Sequence, residues 1–170
     1  SAVVMTGPAS AQTKLKWAHV YEIAEPYHTQ AQWAGEEIKK RTNGKYEIQV
    51  FPASQLYNDR DAVGALGTGA VHITWPASVN LEAIDQRVGL LILPFALSDE
   101  LMMKPAFAKD VTKLVSSFTE PKNIEVLALL RTTDLFFLFK ERPIRKLADL
   151  KGQKVRVTGG RIQSDIIRSY

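Results

Sequence analysis

The chain has 170 residues, 45% hydrophobic and 24% charged, an ordinary globular composition with enough length to bury one sizeable core and part of a second. It has no cysteine, which excludes disulfides, thiolate metal sites and cysteine nucleophiles, and no apolar run near the ~20 residues of a membrane span. Net charge is +4 and unevenly spread: residues 140–170 carry nine Lys or Arg against three acids, leaving −2 for residues 1–139.

Residues 1–11, SAVVMTGPASA, are small and uncharged. Ala9-Ser10-Ala11 fits the A-x-A cleavage pattern, so this stretch reads as the remnant of a signal peptide or a disordered leader. Leu15 to Val20 alternates polar and apolar residues, which predicts a strand. A helix follows, with Pro26 suited to its first turn, Tyr27, Ala31, Ala34 and Ile38 at helical spacing, and Lys39-Lys40-Arg41 at its negative end. Asn43-Gly44 stops it. Tyr46 to Phe51 has a clean period of two and predicts a second strand. Asn58-x-x-Asp61 resembles a capping box opening a helix to about Leu66, and Val71 to Trp75 predicts a third strand that Pro76 ends.

Leu90 to Phe95 is apolar throughout and reads as a buried strand. Ser98 caps a helical segment, Pro105 restarts it, and Phe107, Val111, Leu114, Val115 and Phe118 form its expected inward face. Ile124–Leu130, Leu135–Phe139 and Val155–Val157 read as further strands, and Arg161 to Tyr170 starts a helix with no evident stop, the mark of a chain cut short. Strand and helix alternate as in βαβ units, so the fold class is α/β with a largely parallel sheet.

Catalytic patterns are thin. His19, His28 and His72 lack metal-ligand spacing and read as structural, no cofactor motif is present, and Gly64-x-x-Gly67-x-Gly69 follows a helix rather than a strand, so it makes a poor phosphate cradle. What remains suits an organic anion. Arg156 offers a rigid guanidinium fork that matches a carboxylate and stays charged at any relevant pH; the alternative is an ion pair with a structural Asp or Glu. Trp75 and Phe95, each beside a proline, could wall a pocket or simply be core. The basic stretch from Lys140 reads first as a solvated face; without interleaved aromatics or a binding motif, no nucleic acid partner is expected.

Gly44 to Leu56, GKYEIQVFPASQL, closely resembles a segment of the substrate-binding proteins of TRAP (tripartite ATP-independent periplasmic) transporters. Leu66–Ile73, Leu93-Pro94-Phe95, Arg142-Pro143-Ile144 and Asp149–Val157 fall in the same order and spacing. The resemblance implies a two-lobed periplasmic-binding-protein-like fold, here most of lobe one (12–125) followed by a hinge strand and the beginning of lobe two (126–170). It puts Arg156 at the arginine that pairs with the substrate carboxylate, and turns Tyr27, His28, Trp75, Ser78 and Phe95 toward the cleft. Three departures stand out. His72 replaces an aspartate and Tyr57 a glycine. Phe136 lies where sialic-acid binders carry a further arginine, which argues against sialic acid, although Arg131 is close enough to compensate.

The function implied is a periplasmic solute-binding protein that captures a small organic acid and delivers it to TRAP membrane subunits, with no catalytic residue, metal or cofactor. The alternative is an α/β enzyme on a carboxylate substrate, with His28 as acid and base.

Overall fold

A computed structural model describes residues 12–131, 138–140 and 143–170. The expected leader at 1–11, the strand around Leu135 and the Phe136 position lie outside the described residues. The chain divides into two compact units, Ser1–Pro76 and Ala77–Tyr170. The lobes that the resemblance implies meet near residue 125, inside the second unit.

In the first unit, β1 (Thr13–Ala18) lies between β2 (Tyr46–Phe51) and β3 (Ile73–Thr74) in a three-stranded parallel sheet. Leu15 pairs with Ile48, and Trp17 with Val50 and Ile73, so the odd-numbered side chains of β1 share a face with Ile48 and Val50. Helix α1 (Pro26–Arg41) covers that face. A Cβ at Gly35 would lie 3.1 Å from Ile48 Cβ, so the missing side chain lets helix and strand approach closely. Ala18 has the opposite parity and packs with Ala65 and Val71 beside α2 (Asp59–Gly67), with Tyr57, Leu66 and Ala70 around them. Helices therefore cover both faces, as the alternation of elements predicts. Tyr57, where the resemblance leads one to expect glycine, is spent on this core.

Local chemistry sets the ends of these elements. Pro26 occupies the first turn of α1 and three basic residues its last. Asn43 and Gly44 then turn through left-handed backbone at φ 50° and 77°. Asn58 Oδ1 accepts the Asp61 N–H at 3.0 Å and so caps α2. The third strand is shorter than expected, with only Ile73 and Thr74 in the ladder. Just before it, His72 N–H donates to the Lys16 carbonyl (3.0 Å) while His72 Nδ1 accepts the Lys16 N–H (3.1 Å). The imidazole thus closes the β1 edge as an acceptor, a part an aspartate oxygen can also play.

The second unit departs further from the expected pattern. Leu90–Phe95 is not a buried strand: Gln86–Ile92 is a 3₁₀ helix, and Leu90, Leu93 and Phe95 are exposed. Asp85 starts that helix by accepting the Arg87 N–H at 2.9 Å, and Pro94 has no N–H to give a ladder. Helix α3 (Asp99–Met102) is capped by Ser98 as expected, with Ser98 Oγ accepting the Leu101 N–H at 3.3 Å. Helix α4 (Pro105–Thr119) starts at its proline, but it buries Val115, Ser116 and Thr119 and leaves Leu114 exposed.

The hydroxyls on α4 explain that choice. Thr119 Oγ1 reaches the carbonyls of Ser116 (3.1 Å) and Ile124 (2.7 Å), and Ser116 Oγ accepts the Val126 N–H at 3.1 Å. They fix the start of the following segment against the helix. Ile124 is buried there, but Leu127 and Leu130 are exposed and residues 124–130 join no ladder among the described residues. Residues 155–157 likewise form no ladder, and α5 (Arg161–Arg168) follows them.

Arg87 ties this unit together locally. Its guanidinium meets Asp85 at 2.9 and 2.7 Å and lies 4.1 Å from the centre of the Phe118 ring on α4. The hydrogen bonds from Arg87 hold the Asp85 carboxyl at about 2. Because that folded-state value is depressed, the associated stability is present above the ordinary ~3.9 and fades as pH falls toward the folded value. Arg87→Ala is expected to return the Asp85 carboxyl to the ordinary range in a ¹³C carboxyl titration by NMR.

Candidate ligand site at the strand ends

Ligands of parallel α/β sheets collect beyond the carboxyl ends of the strands. In the first unit that edge is aromatic. Trp17, His19 and Tyr21 follow one another at alternate positions along β1 and its extension, and the face that receives Trp17 also receives the start of α1. Tyr27 and His28 sit in the first turn of α1, and Trp75 directly follows β3. The Trp75 ring meets Tyr27 edge-on with centroids 5.5 Å apart, and Tyr21 edge-on at 5.8 Å. Tyr21 lies 4.5 Å from Tyr27, and Trp17 lies 6.2 Å from Trp75. These tilted and edge-on arrangements are the favourable ones for rings.

Behind the rings are two histidines. His19 is 1% exposed and His28 6% exposed, and His28 Nδ1 lies 3.3 Å from His19 Nε2. His19 Nδ1 is buried without a hydrogen-bond partner among the described residues. Burial first, then the neighbouring His28, push the His19 imidazole below its ordinary value, against smaller opposing effects of Glu25 and the Tyr21 backbone. The Tyr21 phenol is pushed up, by burial first and then by Asp59, Tyr27 and Glu25.

The loop after β2 locks this edge in place. His19 N–H donates to Phe51 O (3.1 Å), Ser54 N–H to His19 O (3.1 Å) and Ala53 N–H to Tyr21 O (2.9 Å). Ala53 and Ser54 reach those carbonyls from left-handed backbone, at φ 49° and 57°. The Phe51-Pro52-Ala53-Ser54 motif thus acts locally, holding the segment from His19 to Tyr21 as it leaves the sheet.

Of the candidates read from sequence, Tyr27, His28 and Trp75 come together here. The others belong to the second unit. Ser78 opens a 3₁₀ helix, Ser78–Ala83. Phe95 is fully exposed at φ 64°, packed against nothing that would make it a pocket wall. Arg131 pairs with Asp99 at 2.7 Å, which holds the Asp99 carboxyl below its ordinary range, so Arg131 is committed to an acid of the chain itself. Arg156 is exposed and makes no ion pair among the described residues. Its neighbours Val155 and Val157 line a groove of about 650 Å³ that Arg156 does not enter, as the period of two demands. Among the described residues no cluster of three or more His, Asp or Glu could hold a metal, and no helix is long and apolar enough to cross a membrane.

Sequence reasoning missed His19 and Tyr21, although the alternation Trp17-x-His19-x-Tyr21 carries the signal. A strand expected to run to Val20 obscures it, because His19 then looks like one more scattered histidine.

The sequence model of bacterial extracellular solute-binding protein family 7, DctP, matches residues 17–170. The chain belongs to that family. It is 26% identical over 156 residues to the C4-dicarboxylate-binding protein DctB of Bacillus subtilis (strain 168), covering 92% of this chain and 43% of the relative. Identity to the C4-dicarboxylate-binding periplasmic protein DctP of Rhodobacter capsulatus is 26% over 149 residues, or 87% and 44% of the two chains. A solved TRAP periplasmic solute-binding protein from Xanthobacter autotrophicus Py2, with bound β-D-galacturonate, superposes with a TM-score of 0.76 at 27% identity, over 91% of this chain and 51% of that one. Another, from Sulfurospirillum deleyianum with bound succinate, gives 0.56 at 28% identity, over 64% and 35%. The DctP-family chain spans about half the length of these relatives. The family and these neighbours are solute-binding proteins of transport rather than enzymes, so an enzyme using His28 is set aside.

The His19 shift has a consequence for stability. A lowered imidazole contributes stability that is present above its unfolded value of ~6.5 and lost as pH falls through the folded value. Urea midpoints are expected to drop from about pH 7 to about pH 5, with a shallower slope in His19→Phe, which keeps an aromatic ring and removes the titrating nitrogens.

Proposed function

We propose that this protein is an extracytoplasmic, periplasmic solute-binding protein that captures a small organic acid and delivers it to TRAP membrane subunits. Family membership supports the transport role. The ligands bound by its neighbours, succinate and β-D-galacturonate, share one chemical feature, a carboxylate among hydroxyl or further carboxylate oxygens.

The observation that carries the reading is Arg156. Exposed, with no acidic partner among the described residues, it follows Val155 and precedes Val157, whose side chains are turned the other way. A guanidinium so placed offers its fork to a carboxylate from outside. In this reading residues 12–125 supply most of the first lobe, with Tyr27, His28 and Trp75 as its contacts. Residues 126–170 supply a hinge strand and the beginning of the second lobe, with Arg156 as the clamp. Ser78, Phe95 and the Phe136 position are further candidates. Closure of the lobes removes water from the ion pair, which is what gives the pair its strength.

A thermal-shift screen of organic acids on the full-length protein is expected to find at least one that stabilises it without being turned over. For that acid, Arg156→Ala should weaken binding by about 2–5 kcal/mol, as for removing one partner of a buried charge pair. Calorimetry showing unchanged affinity in the variant would overturn the clamp.

A further inference from the structure

Two of the four ring nitrogens of the His19–His28 pair face each other at 3.3 Å. A third, His19 Nδ1, is sealed in the interior without a partner. Only His28 Nε2 is left to meet anything outside the pair. It makes no hydrogen bond among the described residues, and it is not one of the buried atoms lacking a partner. We propose that His19 is a positioning residue: its Nε2–H occupies His28 Nδ1, so that His28 presents an Nε2–H donor at the start of α1 to an oxygen of the acidic ligand. The proposal rests on the acid-capture reading and assigns a role to a residue outside its site.

The direction of the inner hydrogen bond follows from its buried end. If His28 donated, His19 would carry its own proton on Nδ1, a second buried N–H without a well-placed acceptor beside the Trp17 indole, and orphaned buried donors are rarer than orphaned acceptors. The Tyr21 backbone carbonyl lies near enough to favour a proton on His19 as a weak hydrogen-bond acceptor, but it already accepts the Ala53 N–H at 2.9 Å and does not meet His19 Nδ1 with hydrogen-bond geometry. With His19 donating, a bare lone pair is buried instead, and the outward nitrogen of His28 must hold the proton. His28 is the third residue of α1, a helix of 16 residues, so the positive end of the helix dipole reinforces its preference for an anionic oxygen. The ring itself is held in place, inclined at 55° to the His19 ring with centroids 5.4 Å apart, and buried.

The test begins without ligand. In ¹⁵N-histidine-labelled protein at about pH 8, where a free imidazole is neutral, long-range ¹H–¹⁵N spectra should show the proton on Nε2 of both rings. A scalar coupling should join His19 Nε2 to His28 Nδ1. A His19 proton on Nδ1, or no coupling, overturns the proposal. Succinate and D-galacturonate are then titrated separately into the full-length protein. An acid that binds should shift the His28 Nε2–H signal and bind about tenfold more weakly to His19→Phe. His19→Gln, whose side-chain amide can still donate to Nδ1, should recover most of that loss. Binding that leaves the His28 signal unmoved, or equal affinity in His19→Phe, sinks the role while leaving acid capture intact. Failure to bind either acid counts against the capture reading, and the ligand-free spectra then decide the positioning role alone.

Discussion

The site at the strand ends depends on β1 lying in parallel register between two neighbours. Because side chains alternate, that register sends Trp17 to the face α1 covers and Ala18 to the face with α2. His19 continues the alternation one step past the last paired residue, and so arrives beneath the first turn of α1 rather than in the opposite core. A slip of one residue would exchange the two sets. It would place indole and imidazole rings against the small residues of α2 and leave Ala18 and Val20 under Tyr27 and Trp75. The aromatic edge is therefore a property of the pairing before it is a property of any one side chain.

Holding two histidines in that position has a cost, which the surrounding backbone offsets. Burying polar ring nitrogens without full partners is unfavourable by roughly 1–3 kcal/mol per group, and His19 Nδ1 is such a group. The loop after β2 takes up the backbone groups on either side, through the amides of Ala53 and Ser54 and the Phe51 carbonyl. The His19 backbone groups and the Tyr21 carbonyl are paired in this way, and the deficit at this edge falls on two ring atoms, His19 Nδ1 and the Trp17 indole Nε1. Natural chains tolerate that kind of local imbalance where a side chain serves more than folding.

The first unit was legible because its signals are local and redundant. Tyr46–Phe51 alternates strictly, Pro26 and Asn58 announce helix starts, and Asn43-Gly44 announces a stop; all four appear where expected. The second unit was less legible because short apolar runs do not distinguish strand from helix or turn. Leu90–Phe95 has the composition of a buried strand, yet Asp85 and Arg87 nucleate a 3₁₀ turn just upstream. Leu114 fits the helical stripe of α4, but the Ser116 and Thr119 hydroxyls, bonded to the returning chain, rotate the buried face toward themselves. Tyr27, His28 and Trp75 came from the resemblance and the strand-end rule. His19 could have come only from counting parity past the end of the strand.

The polar groups considered for ligand divide into two chemical kinds, and the division bears on how affinity and selectivity arise. Arg156 is a permanent cation on an exposed segment; in water its attraction for a carboxylate at 4 Å is only about 1 kcal/mol, and it grows as water is excluded. Such a group distinguishes acids from neutral solutes but hardly one acid from another. An imidazole held from behind, as proposed for His28, differs in kind. Its one outward ring nitrogen points in a single direction, so an arriving oxygen is met from one side only. A buried lysine in its place would carry the full cost of an ion in a low-dielectric setting and could be satisfied from several directions. Once water is excluded, a fixed donor rejects a ligand that lacks an acceptor at that point, because the donor is then left unpaired. Under the proposed acid-capture role, selectivity among acids is thus expected to follow the rings and imidazoles of the first unit more closely than the arginine of the second.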